Sequence, residues 1–187
     1  MRALALTLVL APAALAPAQV PKAPAPPPTF RSTLLDQLRA THTKEEWFVP
    51  VNIADAGFTP EQARWIPTSN TPNPAPADHS VGMLTYHLLF WNANALARMK
   101  GEKPGPPPAD NRDTFNKFDA SNWPATAAKL DAVLTEMESL VANASDAQLA
   151  QWSSTIQHFS AHNAYHTGQM IEIRKLQGSW DPAKGVK

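Results

Sequence analysis

Thr155-Ile-Gln-His-Phe-Ser-Ala-His-Asn-Ala-Tyr-His-Thr-Gly-Gln-Met-Ile-Glu-Ile173 places three histidines, His158, His162 and His166, at successive intervals of four residues. On a helix of 3.6 residues per turn, side chains four apart lie one above another, so two neutral imidazoles at that spacing can face one cation. Histidine is scarce, six in 187 residues. Random placement would give about 0.2 pairs at this spacing, against the two present. Taking about 100° per residue with His158 at zero puts His162 near 40°, Ile173 near 60°, His166 near 80°, Phe159 near 100° and Met170 near 120°. His162 and His166 therefore fall within the apolar stripe, and His158 and Gln169 at its edge. Several imidazoles buried on one stripe are costly unless something satisfies their nitrogens, and a metal ion would do so.

Outward from this segment, the chain reads as all-α, with four helical segments joined by proline-rich connectors and no strand alternation. The last segment spans about Ser153 to Leu176 and stops at Gly178. The first runs from about Phe30 to near Ile53, with Leu34, Leu35, Leu38, Trp47, Phe48 and Val51 on its stripe, and Pro50 must bend or divide it. Thr59-Pro60 then caps a short helical start that ends by Pro67, and Thr68 to Ala77 is a loop. The second segment, capped by Asp78 or Ser80, reaches Met99 with Val81, Leu84, His87, Leu88, Trp91, Ala95 and Leu96 on one face. Gly101 to Ala109 ends it, and the polar stretch to Asn122 reads as another loop. The third, Trp123 to Ala142, has Pro124 in its first turn and an apolar face without titratable groups.

His87 thus faces inward on a different helix from the histidine run, where it is either a hydrogen-bonded core residue or a third metal nitrogen from the facing wall of a bundle. His42 and His79 read as surface residues. Trp91, Phe159 and Met170 read as core and pocket wall.

Ahead of the domain, Met1-Arg2 supplies a positive charge, Ala3 to Leu15 is apolar, and Ala16-Pro17-Ala18 matches a secretory cleavage site. Residues 1–18 are read as a signal peptide, with an uncleaved anchor as the competing reading. Gln19 to Thr29 is a proline-rich tether that favours polyproline II. Residues 30–187 are the size of one domain. The expected location is outside the cytoplasm, periplasmic or extracellular, with no stable membrane anchor after cleavage. Zero cysteines exclude disulfides and thiolate ligands, leaving nitrogen and oxygen to hold any metal. Formal charge is zero, and without a basic stripe nucleic acid is not an expected partner.

Asp78-His-Ser-Val-Gly-Met-Leu-Thr-Tyr-His-Leu-Leu-Phe-Trp-Asn92 and His162-Asn-Ala-Tyr-His-Thr-Gly-Gln-Met-Ile-Glu-Ile-Arg174 resemble the two signature segments of the DinB/YfiT-like metalloenzymes. The resemblance covers Phe30 to Gly178. It implies a four-helix bundle of up-down-down-up topology with one divalent metal ion on three histidines. Those fall here on His87, His162 and His166, with Tyr165, Gly168 and Gln169 completing the second motif. It also implies nickel, zinc, manganese or iron as the ion, with zinc and nickel foremost. Some members transfer sulfur from glutathione, mycothiol or bacillithiol, and many have no assigned reaction. The export signal and tether set this chain apart from relatives that meet a cytosolic thiol.

Three neutral imidazoles leave coordination positions free, and zinc lowers the pKa of bound water to about 7 or holds a thiol as thiolate. The expectation is an exported metal-dependent enzyme, a hydrolase or thiol S-transferase acting on a small molecule, with a low-molecular-weight thiol as one candidate. The alternative is a non-catalytic metal-binding bundle with a structural, sequestering or dimerising role, and a homodimer is an open option. Asn163 stands where a His-Glu-x-x-His peptidase carries its general base, which disfavours peptidase chemistry. His158 is read as a proton shuttle or base, or else as a solvated histidine. Gln169 either binds a ligand imidazole or the bound water, or packs the helix. A catalytic centre keeps a position open, whereas His158 would close a structural one.

Overall fold

The computed structural model describes residues 26–68 and 79–185, so the stretch read as a signal peptide, most of that read as a tether, most of the Thr68 to Ala77 stretch read as a loop and the expected Asp78 cap lie outside the described residues. Four long helices, α1 (Phe30–His42), α4 (Val81–Met99), α6 (Trp123–Asn143) and α7 (Asp146–Gln177), are joined by the single turns α2 (Val51–Ala54), α3 (Pro60–Arg64) and α5 (Asp113–Asn116). The described residues contain no strand. Among them, no helix is long and apolar enough to cross a membrane.

Local chemistry sets the helix ends. Ser80 Oγ accepts from the Met83 amide to start α4, and Thr59 with Gln62 forms a reciprocal capping box at α3. Pro60 and Pro124 occupy first turns, where their missing N–H costs nothing. Gly178, at φ 76°, closes α7 in the left-handed conformation that a side chain would strain.

Arg31, near the start of α1, donates to the Val141 and Ala144 carbonyls where α6 ends and pairs with Asp146 where α7 begins. His42, at the far end of α1, reaches back to Asp131 on α6. α1 therefore runs antiparallel to α6 and parallel to α7. The first half of α4 packs with Trp123, Leu130, Met170 and Ile173, and its last turns with Met137, Val141, Leu149 and Trp152. That makes α4 parallel to α6 and antiparallel to α7. The order is up-down-down-up, with α1 and α4 on one diagonal and α6 and α7 on the other.

Two apolar clusters fill the bundle, one toward each end. A polar pair lies on the α4–α7 seam: Asn92 Nδ2 donates to Asn163 Oδ1 at 2.8 Å, and Asn163 Nδ2 donates back at 3.4 Å, both residues fully buried. Gly82 is required by close approach, since a Cβ there would lie 2.2 Å from the Phe118 ring and 2.9 Å from the Ala63 carbonyl.

Several boundaries differ from the sequence reading. The first segment does not continue to Ile53: α1 ends at His42, and the chain is irregular until Pro50 starts α2. His42 is not a surface residue but is buried, its ring held between Glu138 Oε1 at 2.7 Å and Asp131 Oδ1 at 3.0 Å. That fastening pins the end of α1 to α6. Trp47 and Phe48 lie beyond the break and are exposed, Trp47 at 92 %. α7 begins seven residues before Ser153, because Ser145 and Gln148 form a capping box and Leu149 and Trp152 have core positions to fill. Inside the stretch read as a loop to Asn122, α5 buries Thr114 and Phe115.

Candidate metal centre

α4 and α7 cross where His87 on one meets His162 and His166 on the other. His162 Nε2 lies 3.1 Å from His87 Nε2 and 3.0 Å from His166 Nε2. Among the described residues this is the one group of three or more histidine and carboxylate side chains with mutually close donor atoms. His87 and His166 are buried and His162 half-buried.

The outer nitrogens fix how the inner ones face. Thr114 Oγ1 donates its single proton to the Asn111 carbonyl at 2.6 Å, so it accepts from His87 Nδ1–H, also at 2.6 Å. Gln169 Oε1 accepts from His166 Nδ1–H at 2.6 Å, while the amide nitrogen of Gln169 donates to the Tyr165 hydroxyl at 3.4 Å. Both imidazoles therefore turn an Nε2 lone pair inward. Only His162 Nε2–H is left to donate between those two acceptors, and a cation would take the place of that proton. Two nitrogens each about 2.1 Å from a single cation stand about 3–3.4 Å apart, so both spacings from His162 fit one ion, and all three nitrogens lie within 4.8 Å of one another.

Burial pushes the His87 imidazole down to about 3, with His166, His162 and His79 adding to the effect. Burial also lowers His166 to about 4, against the opposing pull of its hydrogen bond to Gln169. His162 is lowered by burial. All three rings are thus neutral near pH 7, the form that binds metal.

Phe115 stacks on His87 with centroids 3.9 Å apart and planes 9° from parallel, and His79 packs on Phe115 at 3.9 Å. His79, read from the sequence as a surface residue, is half-buried. Thr114 and Phe115 escaped the sequence reading. The available signal was the pair Phe115 and Phe118, three apart in an otherwise polar stretch, as expected for a single helical turn laid on a core.

The trio opens onto a cavity of about 550 Å3 walled by Trp91, Phe115 and Phe159, with Asn111 and His158 as its other polar lining. His158 is exposed and stands apart from the convergent nitrogens. The 40° offset from His162 did not reveal this, because His166 stands at the same offset on the other side and only the position of His87 on α4 decides which neighbour joins His162. Asn163, in the general-base position of a His-Glu-x-x-His motif, is turned into the core on Asn92. Tyr165 is exposed, and no neighbour lies within 4 Å of where a Gly168 Cβ would stand.

The sequence model of the DinB superfamily matches residues 54–171, which hold all three histidines and well over half of the chain. Neither a curated protein nor a solved structure matches it. With the helical bundle, its topology and the buried trio of imidazoles agreeing with that match, the chain belongs to the DinB superfamily of metalloproteins.

Proposed function

We propose that the protein is an exported metal-dependent enzyme that holds one divalent cation on His87, His162 and His166 and uses it to activate water or a thiol toward a small-molecule substrate. The observation that carries this reading is the set of three inward Nε2 atoms, two of them oriented by Thr114 and Gln169, at the foot of an open cavity. A divalent ion there supplies Lewis acidity that brings a coordinated water or thiol toward ionisation at neutral pH. Imidazole nitrogen suits zinc or nickel foremost, with iron and manganese as the alternatives.

The chain's own residues supply the rest. Thr114 Oγ1 and Gln169 Oε1 hold protons on the Nδ1 atoms of His87 and His166, keeping both rings in the tautomer that binds. Trp91, Phe115 and Phe159 surround the centre with apolar surface, which strengthens charge interactions beside them. His158, at the rim, takes up and releases the substrate's proton on a ring nitrogen. A structural centre would be closed by a fourth protein ligand. No fourth histidine or carboxylate joins the three among the described residues, and this favours the enzyme over the non-catalytic bundle.

Residues 1–18 act in this reading as an export signal and residues 19–29 as a tether for the domain that follows. Substrates are small molecules; nucleic acid is not a partner, and homodimerisation through a bundle face is compatible with the centre. Elemental analysis of untagged protein tests the core of the proposal. About one equivalent of a divalent transition metal is expected in the wild type and almost none in His162→Ala, and equal metal in the two would refute the site.

A further inference from the structure

A second cavity, of about 320 Å3, shares His158 and Phe159 with the cavity over the histidine trio. It continues along the same α4–α7 seam, with an apolar wall of Ala95, Met99 and Trp152. Arg98 also lines it, exposed, with a guanidinium in no ion pair or hydrogen bond among the described residues. No acidic side chain lines either cavity. Arg98 follows His87 by eleven residues on α4, which sets the two about 16 Å apart along the helix axis.

From these features we infer that the groove takes an elongated amphiphilic monoanion: a cation-binding head at His87, His162 and His166, an apolar middle over Phe159 and Trp152, and a terminal oxyanion on Arg98. The inference rests on the proposed cation centre and adds the class of substrate. Three physical features select that class. The aromatic and aliphatic walls favour a desolvated hydrocarbon body. The one permanently charged side chain lining the two cavities is the Arg98 guanidinium, whose planar fork suits a carboxylate. A compact polar thiol would fill the inner cavity alone and leave both Arg98 and the outer apolar wall unused. The Arg98 contact lies at an open rim, so its contribution is selectivity more than raw affinity.

Calorimetric titration of the zinc-loaded full-length protein tests the inference with three probes. 2-Mercaptoethanol reads the cation centre alone. 11-Mercaptoundecanoic acid and 11-mercapto-1-undecanol share a head and chain and differ only in the terminal charge. The acid is expected to bind roughly five- to tenfold more tightly than the alcohol. In Arg98→Gln that advantage should vanish while 2-mercaptoethanol binding is unchanged. If 2-mercaptoethanol fails to bind the wild type, the cation reading falls and this inference with it. Retained binding of 2-mercaptoethanol with equal affinities for acid and alcohol, or an acid advantage that survives Arg98→Gln, would overturn the groove assignment alone.

Discussion

Replacing Thr114 with valine keeps the volume of the side chain and removes one oxygen. In the native arrangement that oxygen passes a proton to the Asn111 carbonyl and receives one from His87 Nδ1, both at 2.6 Å and in a residue only 1 % exposed. Valine leaves a buried N–H without an acceptor, while the exposed Asn111 carbonyl keeps the Thr114 backbone amide as donor. An unsatisfied buried group costs about 1–3 kcal/mol. It also frees His87 to adopt the other tautomer, which puts a proton on the nitrogen that faces His162. Losing a partner that orients a metal-bound imidazole weakens metal binding about 10- to 100-fold, equivalent to about 1.4–2.7 kcal/mol. Competition with a chromophoric chelator at pH 7 measures the change in zinc affinity, and urea unfolding measures the stability cost. Thr114→Ser, which retains the hydroxyl, should stay within a few-fold of wild type. If the valine variant binds zinc as tightly as wild type, the assignment of Thr114 as the group that orients His87 is wrong.

Asn92→Leu should lower stability by about 1–3 kcal/mol by orphaning the Asn163 amide, whereas Asn92→Leu combined with Asn163→Leu should recover part of the loss in urea titrations. Strictly additive losses would show that the two amides do not act as a pair. Burial, with Asp131 as the next cause, pushes the Asp55 carboxyl up to about 7, against opposing pulls from its backbone hydrogen bond, Arg174 and His42. Between the ordinary carboxylate range and pH 7 the native state then holds a proton that the unfolded chain has released, so this group costs stability as pH rises, and the cost is complete above pH 7. Asp55→Asn should therefore stabilise the protein at pH 8, by an amount on the order of 2 kcal/mol, and have little effect at pH 4. Thermal melts at the two pH values compare these, and an equal shift at both would refute the reading.

Much of this architecture is legible in the residue pattern because it is local. The apolar stripes of α4 and α6 and the caps at Thr59 and Ser80 depend on neighbours within a few positions. So do the first-turn prolines and the i, i+4 pairing of His162 and His166. His87 was legible as inward-facing. What escaped depends on partners distant in the chain. The burial of His42 is set by Glu138 and Asp131, about ninety residues away, and no stripe on α1 announces them. α5 is seated by contacts with another helix, Thr114 accepting from His87 and Phe115 stacking on its ring. The early start of α7 is different in kind: the Ser145-to-Gln148 box stands in the sequence itself, as a Ser followed three residues later by Gln.

The interlocked amides of Asn92 and Asn163 lie beside the histidines, one position after His162 and five after His87. Sliding α7 past α4 by one residue would translate it about 1.5 Å and turn it about 100°, breaking both amide contacts and swinging His162 and His166 away from His87. Alignment of the seam is thus settled by the polypeptide, without help from a bound ion. On the proposed reading, loading then resembles filling a rigid mould: spectra of the backbone should barely change, and uptake should release little ordering entropy as a penalty. Cations would be sorted by how well they tolerate a fixed triangle of nitrogens, and by supply, since the triangle does not reshape itself around each newcomer.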